Sequence, residues 1–406
     1  MTKAFRDVIA LLVSAARGGK SETDGEIDLK QIYKIAQEQN VLPTIYPALM
    51  QMNFESEYAE IFSNIEKSSL RLYSFQYSRR EFLKELYEQL NKNNICFCVL
   101  KGDVLAQFYS EPLLRVASDV DIRVDKGDAD RCMNILKENG YEIGALTAGE
   151  HHYECRHKKY GLLELHIAFC LDKTNEICFG GEMDFNEPYQ CVDIPGLGKV
   201  NILGYTDGYI YLVMHFIKHF ISSGAGIRHL MDIALYVENY YEYIDMKRAE
   251  AVFNEIGYTA FVRNIMFICR KFLLSDICGK YSADDDNIDE KVDMILSDME
   301  TGGVFGHYDN SRIDFYDVYL ERRAERNRLQ NKSYKKSICQ RIFKPMTEMK
   351  SLYTYLDGRP YLYPVAFVNR IIAHIKYKKR KHSAKPKNQR QYFDERLSML
   401  YKVGLL

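Results

Sequence analysis

Three acidic residues stand where they could hold a divalent cation. Asp119 and Asp121 are one residue apart in an alternating apolar run, so on a β-strand both side chains project from the same face. Two carboxylates this close repel each other unless a cation binds between them, and Mg²⁺ prefers oxygen ligands together with substrate phosphates. Glu164, in a later apolar run, would supply a third carboxylate. The sequence therefore predicts that Asp119, Asp121 and Glu164 bind Mg²⁺, or Mn²⁺ in its place.

This carboxylate set suits two-metal phosphoryl or nucleotidyl transfer. In that chemistry one ion activates the attacking hydroxyl while the other neutralises the leaving diphosphate. Asp119 and Asp121 would hold the metal that carries the phosphates of a nucleoside triphosphate (NTP). Glu164 would orient the ion or act as the base for an acceptor hydroxyl. All three are therefore the predicted catalytic residues.

Gly102 supplies a second part of the predicted site. A glycine between a buried strand and a helix start lets backbone N–H groups approach a phosphate closely. Lys101 and Arg115 are candidate counter-charges for the triphosphate. Each feature alone has an ordinary explanation, because an acid pair on a strand is usually a solvated edge and a glycine after a strand is usually a turn. Their order along the chain, followed by a third acid, favours a phosphate site.

The elements that must position these residues alternate between strand and helix. Ile95–Leu100 is a short apolar run typical of a buried strand, and residues 119–125 alternate with period two. Apolar spacing predicts a helix over Gly127–Asn139, which Gly140 ends. Two hairpins are predicted after it, from His151–His157 with Leu162–Ala168 and from Gln190–Ile194 with Lys199–Ile202. The predicted core is a mixed sheet.

Helical patterns lie on both sides of this core. Apolar residues recur at intervals of three and four between Asp28 and Leu90, and the same spacing returns after Thr206. The predicted later helices are Tyr209–Ile221, Ile227–Glu238, Lys247–Ile256 and Ala260–Leu274. The fold class is therefore α+β. We divide the chain into an N-terminal helical region (1–92), a catalytic core (93–203), a helical domain that completes the nucleotide site (204–300) and a C-terminal helical, partly basic region (301–406).

Composition limits the classes of protein that this chain can belong to. Hydrophobic residues make up 47% and charged residues 27% of the 406 positions, which excludes global disorder and fibrous structure. The net charge of −1 provides no overall field that would draw the molecule to polyanions. One segment is strongly basic, because Arg370–Arg390 holds nine Lys or Arg residues and no acid. It could contact RNA phosphates or an anionic membrane surface, or be a solvated tail.

The cysteines and the hydropathy pattern predict where the protein works. No CxxC motif and no paired Cys/His spacing indicates structural zinc, and isolated cysteines fit a reducing compartment. No run of 18 uncharged apolar residues occurs that would span a bilayer. A cytoplasmic protein without a transmembrane segment is expected.

The motifs resemble those of a known family. The chain is similar to nucleotidyltransferases of the DNA polymerase β type, and more narrowly to their minimal bacterial branch, which is related to abortive-infection type toxins. The resemblance rests on the Leu-Lys-Gly opening at Leu100–Gly102, on Arg115, on the Asp119/Asp121 pair and on Glu164 as the third acid. It implies a nucleotidyltransferase-like mixed-sheet core that binds an NTP. Asp103 departs from the pattern, since the family often has a small residue there.

The resemblance extends into the helical part after the core. The segment His215-Phe-Ile-Lys-His219, with Arg228 and Asp232, looks like the helices that follow the core in this branch. It implies that Lys218 or His219 meets the nucleotide phosphates and that Arg228 pairs with Asp232 to hold two helices. For the histidines the alternative is a hydrogen-bonded, partly buried role, and a zinc site lacks a clear third ligand. The complete predicted nucleotide-binding set is Lys101, Gly102, Asp103, Arg115, Lys218, His219 and Arg228.

The expected function is that of a Mg²⁺-dependent nucleotidyltransferase. It would move a nucleoside monophosphate (NMP) from an NTP to a hydroxyl acceptor, which could be a small molecule or sugar, an RNA end or a protein. Two alternatives remain open. Asp103 motivates a catalytically degenerate fold that serves as a binding or scaffold protein. The basic segment Arg370–Arg390 motivates a toxin-like enzyme that adds nucleotides to tRNA.

Overall fold

The computed structural model describes most of the chain and divides it into two compact units. The described residues are 1–19, 23, 27–54, 56–146, 151–169, 178, 183–281, 287–304, 310–330, 356, 359–369 and 387–406. One unit comprises Met1–Ile313 with Lys402–Leu405, and the other comprises Asp314–Tyr401 with Leu406. The four-part division of the chain stays a prediction. All the predicted site residues lie in the first unit, apart from the basic segment.

Helices open the first unit. They are α1 (Lys3–Arg17), α2 (Leu29–Glu38), α3 (Leu42–Leu49) and the long α4 (Ala59–Lys92), with a 3₁₀ turn at Ser56–Tyr58. Thr2 caps α1, because its side chain accepts a hydrogen bond from the backbone N–H of Phe5. This region confirms the helical pattern expected before residue 92.

A five-stranded mixed sheet follows. Its strands are β1 (Phe97–Val99), β2 (Asp119–Val124), β3 (Glu142–Leu146), β4 (His152–His157) and β5 (Gly161–His166). They lie in the order β1-β2-β5-β4-β3, and only the β2–β5 pair is parallel. The short helix α5 (Asp103–Ala106), the helix α6 (Ala129–Glu138) and 3₁₀ turns at Pro112–Leu114 and Lys126–Asp128 connect them. The α+β class and the first predicted hairpin, now β4–β5, are confirmed.

The two faces of the sheet differ in chemistry. The apolar face buries residues such as Val120, Ile122 and Leu163 against α4 and α6, which contribute Leu86 and Leu136 to the same core. Because side chains alternate along a strand, the acidic residues of β2 and β5 must project from the opposite face. The core therefore fixes which face carries the predicted site.

A second small sheet and a set of helices complete the first unit. The predicted hairpin at residues 190–202 is confirmed as β6 (Gln190–Ile194) and β7 (Gly198–Ile202), which pair antiparallel. The helices are α7 (Tyr205–Ile221), α8 (Ile227–Tyr240), α9 (Met246–Glu255), α10 (Thr259–Leu273), α11 (Asp276–Gly279) and α12 (Ile288–Gly302), with a 3₁₀ turn at Tyr241–Tyr243. All four predicted helices after Thr206 are present as α7 to α10.

The remaining described elements are helical. They are α13 (Asn310–Gln330), a 3₁₀ turn at Pro360–Leu362 and α14 (Lys387–Lys402). Residues 370–386 of the basic segment lie outside the described residues, so its proposed RNA contact stays a prediction. In the part of the chain that the structure describes, no helix combines the length and the hydropathy that crossing a membrane requires.

Candidate functional site

The register of the two parallel strands brings the predicted carboxylates together. Asp121 on β2 is the direct partner of Glu164 on β5, and Asp119 lies two residues before Asp121 on the same face. Ligand atoms of Asp121, Glu164 and His166 all lie within 4.8 Å of one another. We call Asp119, Asp121, Glu164 and His166 the sheet cluster. Glu164 therefore faces Asp121, as two-metal chemistry requires.

Lys101 neutralises part of this negative charge. Its Nζ lies 3.3 Å from Asp121 Oδ1 and 4.0 Å from Asp119 Oδ2, although its side chain is only 16% exposed. Burial alone would lower the pKa of this amine, but the charges of Asp121 and Asp119 outweigh burial and raise it. Lys101 is therefore a cation held against the carboxylates. The same Nζ lies 3.0 Å from His215 Nε2 on α7, so Lys101 also faces the helices.

His166 belongs to the sheet cluster, although the sequence analysis did not single it out. Its Nε2 lies 3.2 Å from Asp121 Oδ1 and 3.4 Å from Glu164 Oε2. Burial lowers the pKa of the imidazole, but hydrogen bonds to the two carboxylates outweigh burial and raise it. The signal for His166 was available in the sequence, because it follows Glu164 by two residues on one strand and must share its face.

Glu164 is held ionised by its surroundings. Burial raises the pKa of this carboxyl, but the hydrogen bond from His166 and the charge of Lys101 outweigh burial and lower it to about 2. His152 on β4 lies farther off, with its Nε2 3.9 Å from Glu164 Oε1. Glu164 is therefore a carboxylate at neutral pH and better suited to bind a cation than to accept a proton.

One oxygen of the sheet cluster shows that the residues present fit a cation. Asp121 Oδ2 is buried and has no hydrogen-bond partner among the described residues, while the side chain is 1% exposed. An unpartnered buried carboxylate oxygen costs free energy unless a ligand satisfies it. Oxygen donors from three carboxylates are the set that hard divalent cations prefer. The sheet cluster therefore fits a divalent cation.

A second cluster faces the sheet from the helices. Ligand nitrogens of His215 and His219 on α7 and of His229 on α8 lie within 4.8 Å of one another. We call these three histidines, with Lys218 and Arg228, the helix cluster. The structure thus supplies the third histidine that the sequence analysis lacked. His215 and His219 share a face because they are four residues apart, whereas His229 reaches them only through the turn between α7 and α8.

The three histidines are neutral and surrounded by cations. Burial and Lys101 lower the pKa of His215, and burial together with His229 and Lys218 lowers that of His219. Burial and the charge of Arg228 lower the pKa of His229 to about 3. Burial is the largest cause of all three shifts, and the charges of Lys101, Lys218 and Arg228 add to it; these charges favour an anion over a cation at the helix cluster.

Lys218 and Arg228 retain hydrogen-bonding capacity for such an anion. The ammonium of Lys218 makes no hydrogen bond or ion pair with the described residues, and its charge acts on His215, His219 and His152. Arg228 Nη1 lies 3.2 Å from Asp232 Oδ2, but the buried Arg228 Nε has no partner within the described part of the chain. Burial and the nearby charge of Arg115 lower the pKa of Arg228.

The guanidinium of Arg115 is bonded within the protein, unlike the free donor atoms of Lys218 and Arg228. Its Nε and Nη2 donate to the two carboxylate oxygens of Asp232 at 2.8 and 2.7 Å, and its Nη1 donates to the carbonyl of Gly102 at 3.2 Å. These bonds engage all three nitrogens of a guanidinium that is 3% exposed. The structure gives Arg115 a positioning role, because it ties the Gly102 turn to α8. Arg228 and Asp232 do pair, but both lie on α8, so Arg115 makes the connection that was expected of Arg228.

Gly102 and Asp103 form the turn after β1. Gly102 has a φ of 61°, in the left-handed region that favours glycine. Asp103 is buried and its Oδ1 lies 3.3 Å from Nε of Arg80 on α4. The extra negative charge of Asp103 is therefore matched within the protein. The pairing with Arg80 spans elements far apart in the sequence, and no local pattern predicted it.

The profile of a family described as "Uncharacterised nucleotidyltransferase" matches residues 25–274. The match covers more than half of the 406 residues and includes every member of the sheet cluster and the helix cluster. No curated protein and no solved structure matches the chain.

Proposed function

Because the chain belongs to this nucleotidyltransferase family, we propose that it catalyses metal-dependent transfer of NMP from an NTP to a hydroxyl acceptor. A bond forms between the acceptor oxygen and the α-phosphorus. The bond between the α-phosphorus and the bridging oxygen to the β-phosphate breaks, and diphosphate leaves. The acceptor proton passes to solvent or to a base. The observation that carries this proposal is the buried, unpartnered Asp121 Oδ2 beside Glu164.

The sheet cluster would hold the cation. Asp119, Asp121 and Glu164 are the residues that would ligate Mg²⁺ or Mn²⁺. When bound, such an ion supplies positive charge to the phosphates and increases the acidity of the acceptor hydroxyl. Glu164, with its lowered pKa, would remain a ligand in this assignment rather than a base.

The helix cluster would hold the phosphates. The ammonium of Lys218 and the Nε of Arg228 have no partner among the described residues, whereas the ring nitrogens of His219 already contact Ser223 Oγ and His215 Nε2, each at 3.2 Å. Lys101 contacts both clusters, which places its charge where the metal-bound phosphates would lie. An anion site beside a cation site is the arrangement that a metal–triphosphate complex needs.

Two predicted contacts change their role in this proposal. Arg115 would not touch phosphate but would hold the Gly102 turn, because its guanidinium is engaged by Asp232 and by the carbonyl of Gly102. The backbone at Gly102 would then be free to face the phosphates. Asp103 motivated the scaffold alternative, but its pairing with Arg80 removes that motive.

A double-label assay tests the proposed function. The purified protein is incubated with Mg²⁺ or Mn²⁺ and with each NTP carrying ³²P at either the α or the γ phosphate. The acceptors are total RNA, a small-metabolite extract or the protein itself. We expect label transfer from the α position only, with release of diphosphate. Transfer of the γ label, or no transfer with any NTP and metal, would contradict the proposal. Label on tRNA would select the toxin-like alternative among acceptors.

A further inference from the structure

We propose that His166 is a direct metal ligand through Nε2, so that this site selects Mn²⁺ and similar imidazole-binding ions over Mg²⁺. The inference rests on the proposed function in one respect, namely that the sheet cluster binds a divalent cation. It goes beyond that function because it adds a nitrogen donor to the three carboxylates and thereby assigns a metal preference.

Strand register and burial fix the position of the His166 side chain. It is the last residue of β5 and pairs with Arg123 across the parallel ladder and with His152 across the antiparallel one. Alternation along β5 places His166 on the same face as Glu164, and its side chain is only 6% exposed. Side chains fixed by strand register and burial are well suited to hold metal geometry.

The distances fit a shared ion. His166 Nε2 lies 3.2 Å from Asp121 Oδ1 and 3.4 Å from Glu164 Oε2. Adjacent ligands on an ion with bonds of about 2.1 Å lie about 3 Å apart when they subtend a right angle. An ion bound by these two oxygens is therefore within reach of the same nitrogen. The same carboxylate carries the buried Oδ2, which has no hydrogen-bond partner among the described residues.

A counter-ion role alone explains His166 less well. Lys101 already places a cation against Asp121 and Asp119. An imidazole adds something that a second ammonium would not, namely a nitrogen lone pair. Nitrogen donors raise affinity for transition-metal ions such as Mn²⁺, Co²⁺ and Zn²⁺, whereas Mg²⁺ demands oxygen ligands.

The other histidine group does not carry the same proposal. The ammonium of Lys101 lies near both groups, but Asp121 and Asp119 offset its charge at the sheet cluster, whereas the set His215, His219 and His229 contains no carboxylate. Lys218 and Arg228 add further positive charge, and the carboxylate of Asp232 is already bonded to Arg115. Of the two sets of ligand atoms found among the described residues, only the sheet cluster contains carboxylates.

His152 provides a matched control. It neighbours His166 on the same sheet face, and the two ring centroids are 5.1 Å apart. Its Nε2 is 3.9 Å from Glu164 Oε1, and it is not one of the ligand atoms that converge with Asp121. Removal of His152 therefore takes an imidazole from the same face of the sheet without removing the proposed ligand.

The test is electron spin-echo envelope modulation of Mn²⁺ bound to the full-length protein, together with competitive binding of Mn²⁺ and Mg²⁺. The wild type should show ¹⁴N modulation that converts to ¹⁵N modulation when only histidine is ¹⁵N-labelled. H166Q should lose it and lower the Mn²⁺/Mg²⁺ affinity ratio at least about tenfold. H152Q should retain both properties. The labelled wild type decides the question even if H166Q does not fold.

The outcomes separate this inference from the proposed function. Mn²⁺ that binds without histidine nitrogen modulation overturns the role of His166 while the carboxylate site stands. Unchanged metal preference in a folded H166Q overturns it as well, as does modulation that H152Q abolishes. If the wild type binds neither Mn²⁺ nor Mg²⁺, the inference and the proposed function both fall.

Discussion

The sheet cluster and the helix cluster both contain buried histidines, yet they are opposite in charge. In the sheet cluster, hydrogen bonds to Asp121 and Glu164 outweigh burial and raise the pKa of His166. In the helix cluster, burial and the neighbouring charge of Arg228 lower the pKa of His229 to about 3. The same residue type therefore has a raised pKa in one cluster and a lowered pKa in the other.

Because the charges around the two clusters differ, converging imidazoles do not by themselves define a metal site. Three histidines with suitable spacing meet at α7 and α8, but the charges around them come from Lys101, Lys218 and Arg228. One histidine with two carboxylates is the better cation site, because the carboxylates supply the negative charge. The two clusters are complementary halves for one ligand, a triphosphate that carries a divalent ion.

The largest expected effect comes from removing the central acid of the sheet cluster. D121N should lower NMP transfer at least about 10³-fold, because it removes a metal ligand and the charge opposite the helix cluster. Steady-state rates at saturating NTP and Mn²⁺ measure this effect. D125N is the control, since Asp125 follows the same strand and is 65% exposed. A D121N variant as active as D125N would contradict the assignment of Asp121 as a metal ligand.

The same variant should also change the stability of the protein. Relief of the repulsion between Asp119 and Asp121 alone would leave stability unchanged or slightly higher. Asp121 also contacts the buried Lys101 and His166, however, so D121N removes the carboxylate charge beside both side chains. We expect the metal-free variant to lose about 1–3 kcal/mol of unfolding free energy in urea titrations.

The next largest effect concerns Arg115, which connects the Gly102 turn to α8. R115A should destabilise the protein by about 3 kcal/mol, because it leaves the buried Asp232 without its bidentate partner and frees the Gly102 carbonyl. Chemical denaturation measures the change. R131A is the control, since Arg131 pairs with Asp128 at the surface and should change stability by less than about 1 kcal/mol. Equal losses of stability in R115A and R131A would contradict the positioning role of Arg115.

Replacement of Lys218 should have a smaller effect, which should appear in nucleotide binding and not in stability. K218M should weaken binding of a Mn²⁺–NTP complex about 10- to 100-fold, because the ammonium is free to meet phosphate. Stability should hardly change, since the ammonium of Lys218 makes no hydrogen bond or ion pair with the described residues, and K218M keeps the backbone carbonyl that accepts from Ser222. Calorimetric titration measures the affinity, with K137M on α6 as the control because α6 packs on the other face of the sheet. Unaltered affinity in K218M would place the phosphates elsewhere.

The smallest effect tests the charge state of the helix cluster. The pKa of His229 falls to about 3 in the folded protein, below its unfolded value of about 6.5. The unfolded chain therefore takes up the proton first on acidification, so stability is present above the unfolded value and is lost as the pH falls toward 3. H229N should reduce the loss of stability between pH 7 and 5.5 by about 1 kcal/mol. An unchanged pH profile would mean that His229 is charged in the native state.

Local patterns predicted the strand and helix types but not the contacts that connect them. Alternation at Asp119 and Asp121 placed both acids on one face before the fold was known, because the period is set within one strand. The parallel register that sets Asp121 against Glu164 depends on pairing between strands distant in the sequence. Strand alternation could also have found His166, which shares the face of Glu164.

The contacts of the helix cluster could be predicted only in part from the sequence. The four-residue spacing put His215 and His219 on one face of α7. His229 joins them only because α8 packs back on α7, and Asp232 meets Arg115 across 117 positions of the chain. Such partners depend on tertiary packing, so neither spacing nor composition could assign Arg115 to Asp232 rather than to phosphate.

One measurement tests the complementarity of the two clusters most directly. It is the anomalous scattering of Mn²⁺ in crystals grown with a non-hydrolysable NTP analogue. We predict an anomalous peak within bonding distance of Asp121 and Glu164, with the triphosphate facing Lys218 and Arg228. A peak among His215, His219 and His229, or phosphates bound away from both clusters, would contradict it.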